Sequence, residues 1–177
     1  MAKLTGKNVL MVIAPEDFRD EELATPKAIL EKEDAKVTVA STRAGTCEGM
    51  LGARVTPDTT LAAETAAKYD AIVVVGGGGS PAHLWGNTAL HSILRDAKAS
   101  NKVIAGICLS GAALARAGVL AGKNATVWRT DESIAEMREG KAKLADAPVV
   151  VDGRVVTANG PDAANDFGRK IAQLLGD

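Results

Sequence analysis

Cys108 is the residue best placed to do chemistry, because Gly106-Ile107-Cys108-Leu109-Ser110-Gly111 joins an apolar, β-rich run to an Ala-rich helical one. This is the layout of a nucleophile elbow, with Cys in place of Ser. A thiol at a helix start feels the positive end of the helix dipole and nearby N–H groups. Both favour the thiolate and are expected to bring its pKa below the unperturbed ~8.5. The alternative for an unpaired thiol is a small buried space-filler.

Two other segments could cooperate with it. Glu16-Asp17-Phe18-Arg19-Asp20-Glu21-Glu22 carries five carboxylates in seven residues. Such a run ordinarily makes a solvated loop and favourable charge at a helix start. Glu22, four residues before Pro26 and next to the helix's apolar face, is the best placed to turn inward toward a thiolate. The second segment is Gly76-Gly77-Gly78-Gly79. Gly77-x-Gly79-x-x-Ala82 formally matches a dinucleotide fingerprint. However, Asp96 lies in a helical pattern, Pro81 interrupts the turn, and the motif is not on the opening βαβ unit. The run reads better as a turn needing positive φ, with the Gly77 N–H supplying an oxyanion site beside Cys108.

The remaining motifs carry less. Gly118 to Asn124 is one residue short of a P-loop and lacks its hydroxyl. His83 follows the glycine turn and is a possible accessory group, while His91 reads as surface or half-buried. Trp85 and Trp128 are typical of core or interface, and Cys47 reads as incidental in a turn.

Three candidate segments at the ends of predicted strands require a fold that brings those ends together. Strands are predicted over 9–14, 36–40, 71–75 and 103–107, from fully apolar or alternating runs. Helices are predicted over 23–32 (with Pro26 in the first turn), 62–68, 88–99, 110–117, 134–141 and 161–175, with Gly118 as a left-handed C-cap. Residues 45–57 suggest a turn or short hairpin, and 149–157 a hairpin turning on Asp152-Gly153. Alternating strands and helices imply an α/β fold, with a mostly parallel sheet covered by helices on both faces and ligands at the strands' carboxyl ends.

The 177 residues suit a single domain, 1–177. The 46% hydrophobic content, mostly Ala, Val, Leu and Ile, fits a packed core. A net charge of −1 without a basic cluster speaks against nucleic acid or anionic membrane as partners. No apolar run approaches the ~20 residues of a membrane helix. Met1 to Lys7 does not read as a signal peptide, and a cytoplasmic location is expected. Two cysteines and two histidines offer no metal-ligand spacing or disulfide framework, so neither metal nor cofactor is expected.

Taken in order, these segments resemble the ThiJ/PfpI superfamily, which includes the parkinsonism-linked protein deglycase and the PfpI intracellular peptidases. The resemblance runs through Glu22-Leu23-Ala24-Thr25-Pro26, Tyr69 to Gly77, Ala105-Gly106-Ile107-Cys108, Ala115 to Thr126, and Val149 to Pro161. It implies a flavodoxin-like three-layer sandwich, assembled as a homodimer or higher oligomer. It also implies Cys108 as the reactive cysteine on a strained elbow, Glu22 as the acid contacting it, and Gly77 and Leu109 as backbone donors. Peptidase-like and many glyoxalase members carry His directly after the cysteine; here that residue is Leu109, which cannot serve as base or acid. It places the chain nearer the branch with an apolar residue there, which includes deglycase-like members. Trp128 stands where the apolar branch can have a nearby His. The implied activity is glutathione-independent conversion of methylglyoxal or glyoxal, or removal of their early adducts from glycated protein. The alternatives are a redox sensor or chaperone-like protective protein using an oxidisable Cys108 and, disfavoured by Leu109, an intracellular peptidase or amidase.

Overall fold

A computed structural model describes residues 3–177. Met1 and Ala2, part of the segment considered for a leader, lie outside the described residues. In chain order the elements are β1 (Asn8–Val12), β2 (Glu16–Phe18), α1 (Asp20–Lys32), β3 (Lys36–Ser41), β4 (Cys47–Gly49), β5 (Arg54–Val55) and β6 (Thr59–Thr60). There follow β7 (Ala71–Val74), α2 (Ser80–His83), α3 (Thr88–Ala99), β8 (Val103–Ile107), α4 (Gly111–Arg116) and β9 (Asn124–Ala125). The chain closes with α5 (Asp131–Glu139), β10 (Lys143–Leu144), β11 (Val149–Asp152), β12 (Val155–Ala158) and α6 (Ala164–Gly176).

Seven strands form the main sheet in the order β11-β12-β8-β7-β1-β3-β6. All neighbours are parallel except the edge strand β11, which runs antiparallel to β12. The central strands β7 and β8 are buried at every residue, which is why their sequences are continuous apolar runs rather than alternating ones. One face packs Leu10, Val12, Ile72, Val74 and Ile104 against Leu90 and Leu94 of α3 and Leu114 of α4. The other packs Val9, Met11, Val73 and Val75 against Leu23 and Leu30 of α1 and Phe167 and Ile171 of α6. Gly168 lets these last two helices meet closely, since a Cβ there would lie 3.0 Å from the Pro26 Cα.

Several predicted boundaries move. Helix α1 begins at Asp20 rather than residue 23, with Asp20, Glu21 and Glu22 forming its acidic first turn. Pro26 is therefore interior, and its missing N–H leaves the Glu22 carbonyl without an i+4 donor. Residues 62–68 form two 3₁₀ turns, Leu61–Ala63 and Ala66–Lys68, instead of one α-helix. Glu64 sits between them and accepts hydrogen bonds from Thr59 at 2.7 Å and Tyr69 at 2.6 Å. The predicted hairpin over 45–57 is present as β4–β5, and β2 joins it to make a small separate sheet. The 149–157 hairpin turns on Gly153-Arg154, because Asp152 already pairs with Val155. Gly118 takes φ +87° after α4, as a left-handed cap should.

Candidate active site

The site forms where β1, β7 and β8, adjacent in the sheet, end at the same edge. Each supplies one part: Glu22 follows β1, the glycine turn follows β7, and Cys108 follows β8. Cys108 holds φ +61°, a left-handed conformation that costs a non-glycine residue about 1–2 kcal/mol. The neighbouring packing sustains it. Its carbonyl accepts from the Trp128 N–H at 3.1 Å, and the chain leaves in a 3₁₀ turn, Cys108–Ser110, before α4.

Glu22 is fully buried. Its Oε1 accepts from the Gly76 N–H at 3.0 Å, and its buried Oε2 has no hydrogen-bonded N–H or O–H partner among the described residues. Gly76 is the wedge between acid and thiol. A Cβ there would lie 2.6 Å from both the Cys108 Cβ and Glu22 Oε1, and 2.5 Å from the Ile107 carbonyl. We therefore expect Gly76→Ala to lower stability by about 2 kcal/mol or more and to disrupt the pair. Thermal unfolding checks this, and an unchanged Tm would contradict it.

Burial is the dominant influence on both groups. It pushes the Glu22 carboxyl up to about 7, opposed by its contacts with Cys108 and the Gly76 N–H and by the Arg19 charge. Burial, reinforced by the Glu22 carboxylate, pushes the Cys108 thiol up to about 12. The backbone N–H groups of Leu109 and Gly77 act in the opposite sense. This reverses the expected lowering of the thiol by its helix start. That expectation weighed the helix end alone, whereas a 3₁₀ turn and a six-residue helix do not outweigh desolvation beside a carboxylate. Burial makes any negative charge costly here, and the Glu22 carboxylate makes a second one, on Cys108, costlier still. The pair gives up its first proton near neutrality and keeps the other.

Of the residues singled out in the sequence, Cys108, Glu22, Gly77 and Leu109 converge here. Gly77 has φ +117°, and a Cβ on it would strike the backbone of Asp17, Phe18 and Arg19. Leu109 is half-buried, and its carbonyl accepts from the Trp85 indole at 2.8 Å. His83 is not brought to the sulfur as an accessory group; its Nε2 lies 3.1 Å from Glu16 Oε1 near the surface. His91 is buried rather than half-exposed, with Nε2 2.7 Å from the Trp85 carbonyl. The chain's two imidazoles are thus both engaged elsewhere. Cys47 is buried on β4, and its thiol donates to the Gly45 carbonyl at 3.7 Å. Trp85 belongs to the core, whereas Trp128 is half exposed and stands against Gly160.

Sequence reasoning passed over Arg19. Its backbone N–H donates to the Gly76 carbonyl at 2.9 Å, and its guanidinium is held by Glu21 at 2.9 and 3.1 Å. From there its charge acts on both Glu22 and Cys108. A lone cation in an acidic run was the available signal. Among the described residues, no group of three or more His, Cys, Asp and Glu side chains is arranged to hold a metal ion. No helix among them is long and apolar enough to cross a membrane.

A family model described as the DJ-1/PfpI family matches residues 7–174. The chain is 48% identical over 172 residues to an uncharacterized protein of Methanocaldococcus jannaschii, across 97% of this chain and 84% of that one. It is 31% identical to Protein/nucleic acid deglycase 2 of Escherichia coli, across 94% and 97% of the two chains. It is also 27% identical to the glutathione-independent glyoxalase DJR-1.2 of Caenorhabditis elegans, across 96% and 89%. Among solved structures, a ThiJ/PfpI domain protein from Brachyspira murdochii superposes with a TM-score of 0.90 at 33% identity, covering 96% of this chain and 98% of that one. The α/β, flavodoxin-like sandwich expected from the sequence is the fold found.

Proposed function

Because this chain belongs to the DJ-1/PfpI family, we propose that it is a cysteine-dependent enzyme acting on small reactive carbonyls, of glutathione-independent glyoxalase or protein-deglycase type. The observation that carries this reading is the fully buried Glu22 carboxyl in contact with Cys108 and raised to about 7. A carboxylic acid poised near neutrality can both give and take a proton. With the carboxyl at about 7 and the thiol at about 12, the pair's single negative charge rests mainly on Glu22, and the Leu109 and Gly77 N–H groups support the minor form that carries it on sulfur.

The Cys108 thiolate adds to the aldehyde carbon, and the carbonyl oxygen takes the Glu22 proton to give a hemithioacetal. The Gly77 and Leu109 N–H groups steady the oxyanion as it forms. For a 2-oxoaldehyde, Glu22 then carries the former aldehyde proton to the adjacent carbon, while the hemithioacetal hydroxyl proton passes to that carbon's oxygen, leaving a thioester. Water hydrolyses the resulting thioester, releasing the 2-hydroxy acid and restoring the thiol. No oxidant or cofactor enters the balance. The substrate is a free aldehyde or its early adduct on a protein, and nucleic acid and membrane are not partners. The enzyme works in the cytoplasm as a homodimer or larger assembly. Methylglyoxal turnover by wild type, Cys108→Ser and Glu22→Gln tests the mechanism; equal rates in all three would sink it.

The same buried carboxyl favours a second role, in which peroxide oxidises Cys108 to a sulfinate that accepts a hydrogen bond from the protonated Glu22. Two peroxide equivalents supply the two oxygens and leave as water. Intact mass after mild peroxide should show two oxygens added in wild type and none at this position in Cys108→Ser. An unmodified wild-type Cys108 excludes the role.

A further inference from the structure

The glycine turn is tied on both sides. On one, the Arg19 N–H donates to the Gly76 carbonyl at 2.9 Å, and the Gly79 N–H donates to the Asp17 carbonyl at 3.0 Å. On the other stands a pair of fully buried serines. Ser110 Oγ donates to the Val75 carbonyl at 2.6 Å and lies 2.7 Å from Ser80 Oγ. A hydroxyl has one proton, and a carbonyl can only accept. The Ser110 proton therefore goes to Val75, and Ser80 donates to Ser110.

The positions of these three residues give the contacts their meaning. Val75 is the residue just before the glycine turn, and Ser80 is the one just after it. Ser110 lies two residues beyond Cys108, within the elbow's own 3₁₀ turn. One hydroxyl on the elbow thus grips both ends of the turn. Between the two grips, the Gly76 N–H holds Glu22 Oε1 at 3.0 Å and the Gly77 N–H acts on the sulfur. Four consecutive glycines are torsionally free, so their N–H groups need external restraint to keep their aim.

We propose that Ser110 and Ser80 are positioning residues, fixing the glycine turn against the elbow so that the Gly77 N–H and the Glu22 carboxyl stay in register with Cys108. The inference rests on Cys108 and Glu22 being the reactive pair. A purely stabilising role predicts a lower Tm and nothing else. A positioning role predicts that the chemistry of Cys108 changes in the folded protein, since small misplacements cost up to about 10²-fold.

The test measures Cys108 alkylation by iodoacetamide from pH 5 to 9, with methylglyoxal kinetics and thermal unfolding, in wild type, Ser110→Ala, Ser80→Ala and the double variant. Well below the unfolding temperature, Ser110→Ala should lower kcat by roughly tenfold to a hundredfold, with KM changed by less than about threefold. Its alkylation profile should move to higher pH, because the sulfur loses its Gly77 donor. Ser80→Ala should act in the same direction but less. The double variant should resemble Ser110→Ala rather than add to it. Restoring a hydroxyl with Ser110→Thr should recover the profile.

Wild-type kcat and alkylation profiles in both Ser110→Ala and Ser80→Ala would overturn the proposal, whatever happens to Tm. If Ser110→Ala does not fold, Ser80→Ala, which keeps the Val75 bond, decides by the same two readouts. A wild-type Cys108 that alkylates no faster than Cys47 would instead remove the reactive pair itself, and the proposal with it.

Discussion

Cys108→Ser should reduce methylglyoxal turnover by at least about a thousandfold while leaving the fold intact. Loss of a nucleophile that acts with its partners as a unit removes nearly all of their joint effect. Serine matches cysteine in shape closely enough to keep the elbow, yet a hydroxyl has no accessible anion near neutral pH. Stability should change little, because the strained φ of +61° is the same for either side chain. Turnover and thermal unfolding of the two proteins, measured together, check both halves. A variant that retains a tenth of the wild-type rate would move the chemistry away from this sulfur.

Glu22→Gln should have the second largest effect, and it has two signatures. Turnover should fall by about 10²–10⁴-fold, the usual contribution of a positioned proton carrier. The other signature is thermodynamic. Folding raises this carboxyl from its ordinary 4.5 to about 7, so its neutral form is the one the folded state accommodates. The associated stabilisation is complete below about pH 4.5 and disappears as pH rises through 7, a span worth about 3 kcal/mol. Glutamine has no proton to lose and retains an oxygen for the Gly76 N–H. In denaturant unfolding between pH 4.5 and 7.5, the wild type should lose about 3 kcal/mol relative to Glu22→Gln. A constant difference between the two across that window would show that Glu22 is not held neutral by burial.

The parts of the fold that were legible in the sequence are those whose burial leaves a pattern. Val103–Ile107 and Ala71–Val74 are buried on both faces, so each reads as an unbroken apolar run. The elbow was legible because a buried strand, a cysteine and an Ala-rich helix follow one another without a linker. Glu22 was one carboxylate among five until its spacing to Pro26 and the family resemblance picked it out. The short strands Glu16–Phe18 and Thr59–Thr60 were not legible. Two or three residues carry no period, and their pairing with Glu48–Gly49 and Ala40–Ser41 is set by tertiary packing. The tie between Ser80 and Ser110 spans 30 residues and joins two segments that each look ordinary. The direction of the thiol shift was missed for a related reason. A helix start is a local feature, whereas burial of the thiol and the charge of Glu22, 86 positions earlier in the numbering, belong to the assembled site.

The most direct test of the account is the thiolate absorbance of wild type from pH 5 to 10, taken as a difference against Cys108→Ser and repeated with Glu22→Gln. The account predicts a partial thiolate step in wild type centred near pH 7, the share of the pair's first charge that rests on sulfur rather than on Glu22, with most of the thiol ionising far higher. Glu22→Gln should replace the two steps with one. A single wild-type step near the ordinary ~8.5, unmoved by Glu22→Gln, would show that Cys108 is an unperturbed thiol with no partner in Glu22.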